Sequence, residues 1–137
     1  MLKDDSVFKA GSGLHGGIGF MHDTCGSLIG AGMVLSYKWG LGRDEVDNDP
    51  NREKPHVPVG KMYKFFEKEF GTVNCREIST KHCGGVFYDT SVPWQKELAV
   101  EAGMYVNCDE LIRKSAARAA EILWDAFEKE KETKGPG

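Results

Sequence analysis

The sequence predicts an all-α protein, a small helical bundle of about four main helices. Three observations predict it. Apolar residues recur at spacings of three and four in its most regular segments, glycines stand where those segments stop, and no run alternates apolar and polar residues as a half-buried strand does.

Residues 1–8 read as a polar lead-in, and 11–19 (GSGLHGGIG) as a glycine-rich loop. GSGLHG formally matches GxGxxG, but no β-branched run precedes it and no acidic residue stands at the distance a ribose requires, so a dinucleotide site is not supported. A helix is expected to start at Asp23 or Thr24, placing Cys25 in its first turn. It runs to about Trp39, apolar nearly all round as a buried helix is, and Gly40 and Gly42 stop it. Gly26, Gly30 and Gly32 with Ala31 make a small-residue face that lets another segment approach. Residues 43–58, charged and with three prolines, read as a surface loop.

From 59 to 71 the chain returns to helix. Met62, Phe65, Phe66, Glu69 and Phe70 share a stripe, and Gly71 suits a C-terminal cap. Cys75 and Cys83 then fall in irregular structure or one short turn, and a further helix spans about 94–103. The clearest helix follows Asn107, whose spacing to Glu110 fits a capping box. Its buried stripe runs through Cys108, Leu111, Ile112, Ser115, Ala119, Ile122, Leu123 and Ala126. Residues 1–137 therefore read as one helical domain, with 128–137 a frayed tail.

A net charge of −3, with 40% hydrophobic and 28% charged residues, gives no electrostatic footprint for nucleic acid or acidic membranes. No window approaches the roughly 20 apolar residues of a membrane helix. No export signal is visible, so the default compartment is the cytoplasm, or the periplasm if the N-terminus has been trimmed. GxSxG, a phosphate loop and paired carboxylates are all missing, which removes support for hydrolase and kinase readings.

The chemistry-bearing residues are Cys25, Cys75, Cys83 and Cys108. A thiol in the first turn of a helix, as expected for Cys25 and Cys108, meets unpaired N–H groups and the positive end of the dipole, which favour thiolate. Four thiolates are the inventory of a [2Fe–2S] or [4Fe–4S] cluster or a structural zinc. The spacings here match no compact zinc pattern, and CxxC is missing. Buried, inert thiols remain the plain alternative. His22, three residues before Cys25, and His82, directly before Cys83, are candidates to support such a site, as are Gly26 and Gly30. Without CxxCH, haem is not covalently bound in this chain.

Three segments in order, GGIGFMHDTCGSLIGAGMVL, FFEKEFGTVNCREI and VNCDELIRKSAARAAEIL, resemble the redox-active protein family with the C-GCAxxG-C-C cysteine pattern. That family is mainly helical, with a CGAxxG motif after a glycine-rich loop, a CREL-type cysteine, and a last cysteine opening the C-terminal helix. Cys25 and Gly30 match the first motif, with Ser27 in place of its alanine. Cys75 in CREI and Cys108 in CDELI match the later two. Cys83 resembles an additional cysteine that often follows the CREL segment, at a longer gap. The family's first cysteine belongs to a helix upstream of the glycine loop, which this chain is expected to lack. Either another segment replaces it, such as the haem-bearing one of split-Soret-type cytochromes that contain a similar domain, or the chain has been shortened.

The resemblance implies electron transfer through an iron–sulfur or related iron centre, with no catalysed reaction assigned. On that reading Cys25, Cys75, Cys83 and Cys108 are the ligands, cluster type is undetermined, Gly26 and Gly30 let backbone approach, and N–H groups near Gly17 to Gly19 tune the potential. A thiol–disulfide protein in which Cys25 attacks and Cys75 or Cys83 resolves is the alternative, and a helical partner-binding domain with structural cysteines a third. The expected partners are a redox protein and a second copy of the chain, as a homodimer.

Overall fold

The computed structural model describes residues 5–45 and 53–134. Among them every regular element is helical: α1 (Asp5–Gly11), α2 (His15–Ile18), α3 (Gly26–Trp39), a 3-10 turn (Arg43–Glu45), α4 (His56–Phe70), α5 (Cys75–His82), α6 (Pro93–Glu101) and α7 (Met104–Lys134). Among the described residues, the only strand-like feature is an isolated antiparallel bridge between Thr24 and Asn74.

The all-α expectation holds, and α3, α4, α6 and α7 are the four expected helices. The count of about four is too low, because α1 occupies part of the expected lead-in and α5 makes two turns where irregular chain was expected. Of the expected loop 43–58, residues 46–52 lie outside the described residues, and 56–58 already belong to α4. The frayed tail is also corrected: α7 continues through 128–134, while 135–137 are outside the described residues.

α3, α4 and α7 pack on one another and make the core, with α5 and α6 laid against α7 and α2 against α3 and α5. Leu28, Ala31 and Leu35 of α3 meet Met62 and Phe66 of α4, Ile78 of α5, and Leu111, Ala119 and Ile122 of α7. Leu35, Met62 and Phe66 are 0% exposed, and each large apolar side chain so buried contributes about 1.5–3 kcal/mol. The stripes of α4 and α7 are as expected, except that Glu69 reaches out to Lys114 at 2.8 Å and Ile112, expected to be buried, is 51% exposed. α3 departs from the all-round burial expected of it: Val34 and Tyr37 are exposed, and only one face meets the core. A smaller cluster of Cys83, Ala99 and Met104, with Tyr88 and Cys108 against it, joins α6 to α7 beside the main core.

Between α1 and α3 the glycine-rich segment makes a left-handed turn. Gly16, Gly17, Ile18, Gly19 and Phe20 all have φ between 60° and 73°, and His22 follows at 56°. Bonds spanning six residues hold it, from Gly19 N–H to the Gly13 carbonyl, His22 N–H to Gly16 and Asp23 N–H to Gly17. Left-handed backbone costs an L-residue roughly 1–2 kcal/mol, and Ile18, Phe20 and His22 are held there by N–H bonds to the Leu14, His15 and Gly16 carbonyls of the same turn.

Candidate redox centre

Two of the four thiols are delivered by the Thr24–Asn74 bridge. Cys25 N–H donates to the Val73 carbonyl, and Cys75 N–H donates to the Asp23 carbonyl, so the two cysteines leave the bridge side by side. Cys25 is the cap residue of α3 rather than part of its first turn. Cys75 is the first residue of α5, a helix fixed in place by Asn74, whose side chain accepts the Glu77 N–H at 3.2 Å.

Cys108 arrives differently from the expectation. α7 begins at Met104, directly after Gly103 with φ 80°, so Cys108 lies in the second turn and Asn107 is not a cap. The Asn107 side chain instead donates to the His82 carbonyl at 3.1 Å, which brings the His82 Nδ1 to 3.6 Å from the Cys108 Sγ.

Cys25, Cys75 and Cys108 face one cavity of about 630 Å³, within the range of small-molecule and cofactor sites. Its walls also include His22, Gly26, Gly30, Phe20 and Ile112. Cys83 does not line it. It is 8% exposed, packed with Ala99 and Met104 behind Cys108.

The glycines divide the wall between them. A Cβ on Gly17 would stand 2.7 Å from the Cys75 Cβ and 2.6 Å from the Asp23 amide nitrogen, so glycine is required where the turn presses on the cysteine. A Cβ on Gly26 would meet the Leu14 carbonyl oxygen at 2.5 Å; the segment that comes close to α3 is the chain's own glycine-rich turn. Gly30 differs: its Cβ would meet nothing within 4 Å, so it leaves the wall bare rather than allowing an approach. Of the N–H groups near Gly17 to Gly19 expected to serve the sulfurs, those of Ile18 and Gly19 do not, since they bind the Leu14 and Gly13 carbonyls.

Electrostatics overturn the expected thiolates. Burial raises Cys25, and the amides of Ser27 and Leu28 at the start of α3 oppose the rise without reversing it. Burial pushes Cys75 up to about 11, with the charge of Cys25 adding to it. It does the same to Cys108, also to about 11, with Cys25, Cys75, Cys83 and Asp109 all contributing in the same sense. Cys83 rises through burial as well. These thiols share one low-dielectric neighbourhood, in which each resists ionising beside the others. A bound cation removes that resistance, because a coordinated thiol is deprotonated outright.

Among the described residues, no three His, Cys, Asp or Glu side chains stand where they could hold a single metal ion. A [4Fe–4S] cluster asks for something else, since each of its four irons takes one protein ligand and the ligands are spread accordingly, whereas a [2Fe–2S] cluster puts two ligands on each iron. Three thiols on one cavity and a bare wall at Gly30 are compatible with that spread.

His22 and His82 therefore both touch the site, at the cavity wall and at Cys108 respectively. The lining contributed by Met104, Tyr105 and Ile112 was not anticipated. Its signal is the four-residue spacing Met104, Cys108, Ile112, legible once the helix is known to begin at Met104. Asn74 was missed too, although Asn74 with Glu77 three residues on has the capping-box spacing.

No curated protein and no solved structure matches the chain. A family model does: the one described as "Putative redox-active protein (C_GCAxxG_C_C)" matches residues 1–122. α1, upstream of the glycine-rich turn, falls within the matched span and carries no cysteine. With nearly the whole chain matched, this protein belongs to the C_GCAxxG_C_C family of redox-active proteins.

Proposed function

We propose that this protein transfers electrons through an iron–sulfur cluster seated in the cavity, with Cys25, Cys75 and Cys108 as thiolate ligands. The observation that carries the reading is the convergence of three thiols, from the α3 cap, the start of α5 and the second turn of α7, on one cavity. A bound cluster would supply one-electron chemistry. The chain's own residues hold it and fix its surroundings. Gly17 and the Thr24–Asn74 bridge set Cys25 against Cys75, Phe20 and Ile112 wall the cavity, and His82 stands at the Cys108 sulfur. With no metabolite-binding motif in the sequence, a redox protein is the expected partner.

Anaerobic purification followed by iron and sulfide analysis and a visible spectrum tests this. Iron and acid-labile sulfide with broad absorption bleached by dithionite are expected, and Cys25→Ser, Cys75→Ser and Cys108→Ser each lose that absorption. A colourless protein that takes up neither iron nor sulfide on reconstitution overturns it.

The adjacency of Cys25 and Cys75 across the bridge favours thiol–disulfide exchange as the second reading. Cys25 attacks a substrate disulfide, Cys75 displaces the mixed disulfide, and the protein gives up two electrons and two protons. Its mark is a metal-free protein that reversibly loses two thiols on oxidation, with Cys83 unaffected.

A further inference from the structure

The cavity holds three cysteines, and the fourth, Cys83, is sequestered in another cluster, so a four-ligand centre lacks one donor. Beside the buried hydroxyl residues Ser79 and Thr90, the same wall carries a buried imidazole, His22, 6% exposed. Its main chain is pinned on both sides. Its N–H donates to the Gly16 carbonyl at 3.1 Å, and its carbonyl accepts the Arg76 N–H at 3.1 Å, so it stands beside Cys75 in a left-handed conformation.

The ring is fixed as firmly. Its Nε2 lies 3.3 Å from the Asp89 Oδ1, and its plane stands edge-on to Phe87 with centroids 5.0 Å apart. Asp89 is itself held by the Ser91 N–H at 3.0 Å and the Ser91 hydroxyl at 2.6 Å. A carboxylate accepts, so Nε2 carries a proton, and in the neutral imidazole the lone pair is then on Nδ1. Nδ1 has no hydrogen-bond partner among the described residues. This carboxylate–histidine pairing is how proteins orient an imidazole whose other nitrogen binds a metal.

The other histidines are less suited. His15 is exposed on the rim with its Nδ1 on the Ser12 carbonyl, and His82 faces Cys108 from outside the cavity.

We propose that His22, through Nδ1, is the fourth ligand, giving a three-cysteine, one-histidine centre in which Asp89 orients the imidazole and Cys83 takes no part. The inference rests on the iron–sulfur reading above.

The test is pulsed EPR on the dithionite-reduced full chain, isolated anaerobically with and without 15N-histidine, alongside iron and sulfide analysis of Cys83→Ser. A hyperfine coupling to one directly bound nitrogen that changes on 15N-histidine labelling is expected. Cys83→Ser should keep the iron, sulfide and coupling of the parent protein, and His22→Cys, if it folds, should keep iron and lose the coupling. An iron-loaded protein without a bound nitrogen, or loss of the centre in Cys83→Ser, overturns the histidine ligand and leaves the iron–sulfur reading standing. A chain that binds no iron or sulfide overturns both.

Discussion

At the scale of single residues, the site depends on a turn that most side chains cannot make. Gly17 combines φ 73° with close contact to Cys75 and Asp23. Adding one methyl group there is both strained and clashing, and the neighbours it would strike are backbone and a cysteine Cβ. Gly17→Ala is expected to lose on the order of 3 kcal/mol, measured by urea denaturation, and to displace Cys75. An unchanged midpoint would mean that the turn does not press on α5. Ile18, next in the chain, is 42% exposed and has φ 63°. It keeps a β-branched side chain in a left-handed conformation, with little burial to offset the cost. Ile18→Gly should therefore stabilise the protein by about 1 kcal/mol, an opposite outcome one residue away.

At the scale of elements, α5 acts as a carrier for Cys75, and its first turn is set by Asn74. Asn74→Ala removes the bond to the Glu77 N–H and should cost about 1 kcal/mol, whereas Asn74→Asp, which keeps an acceptor, should cost much less. Equal losses in the two variants would show that the cap is not what holds the helix. This cap also marks how much was legible in the sequence. α3, α4 and α6 were readable because their glycine stops and apolar spacings are local signals. The start of α7 was not, because the break rests on Gly103 alone, and Asn107 three residues later mimics a cap while its side chain goes to the His82 carbonyl. The left-handed turn was hidden for a different reason. Its bonds reach across six residues, and the conformations of Ile18 and Phe20 run against their own preferences. The pairing of His22 with Asp89 spans 67 positions, so no local pattern announces it.

At the scale of the whole molecule, the fold gathers thiols from distant parts of the chain into a setting that keeps them protonated, a consequence no spacing carries. Cys75 and Cys108 each have an ordinary value of 9.0 and rise to about 11 in the folded protein. The sign of the linkage follows. Between these values the native chain keeps protons that the unfolded chain has released, so stability falls as pH rises from about 9 to about 11, while below 9 both states are protonated and the thiols add no pH dependence. Lysines and tyrosines titrate in the same window, so the contribution is isolated by difference. Urea midpoints of the reduced, metal-free protein should fall more steeply between pH 9 and 10.5 than those of the Cys75→Ser, Cys108→Ser double variant, and the two should respond alike between pH 7 and 8.5. The same burial requires proton release when the thiols take up iron, so loading should tighten as pH rises toward 9. Parallel alkaline profiles in the two proteins would mean that Cys75 and Cys108 titrate as free thiols, and the cavity would then not be the low-dielectric enclosure that raises them.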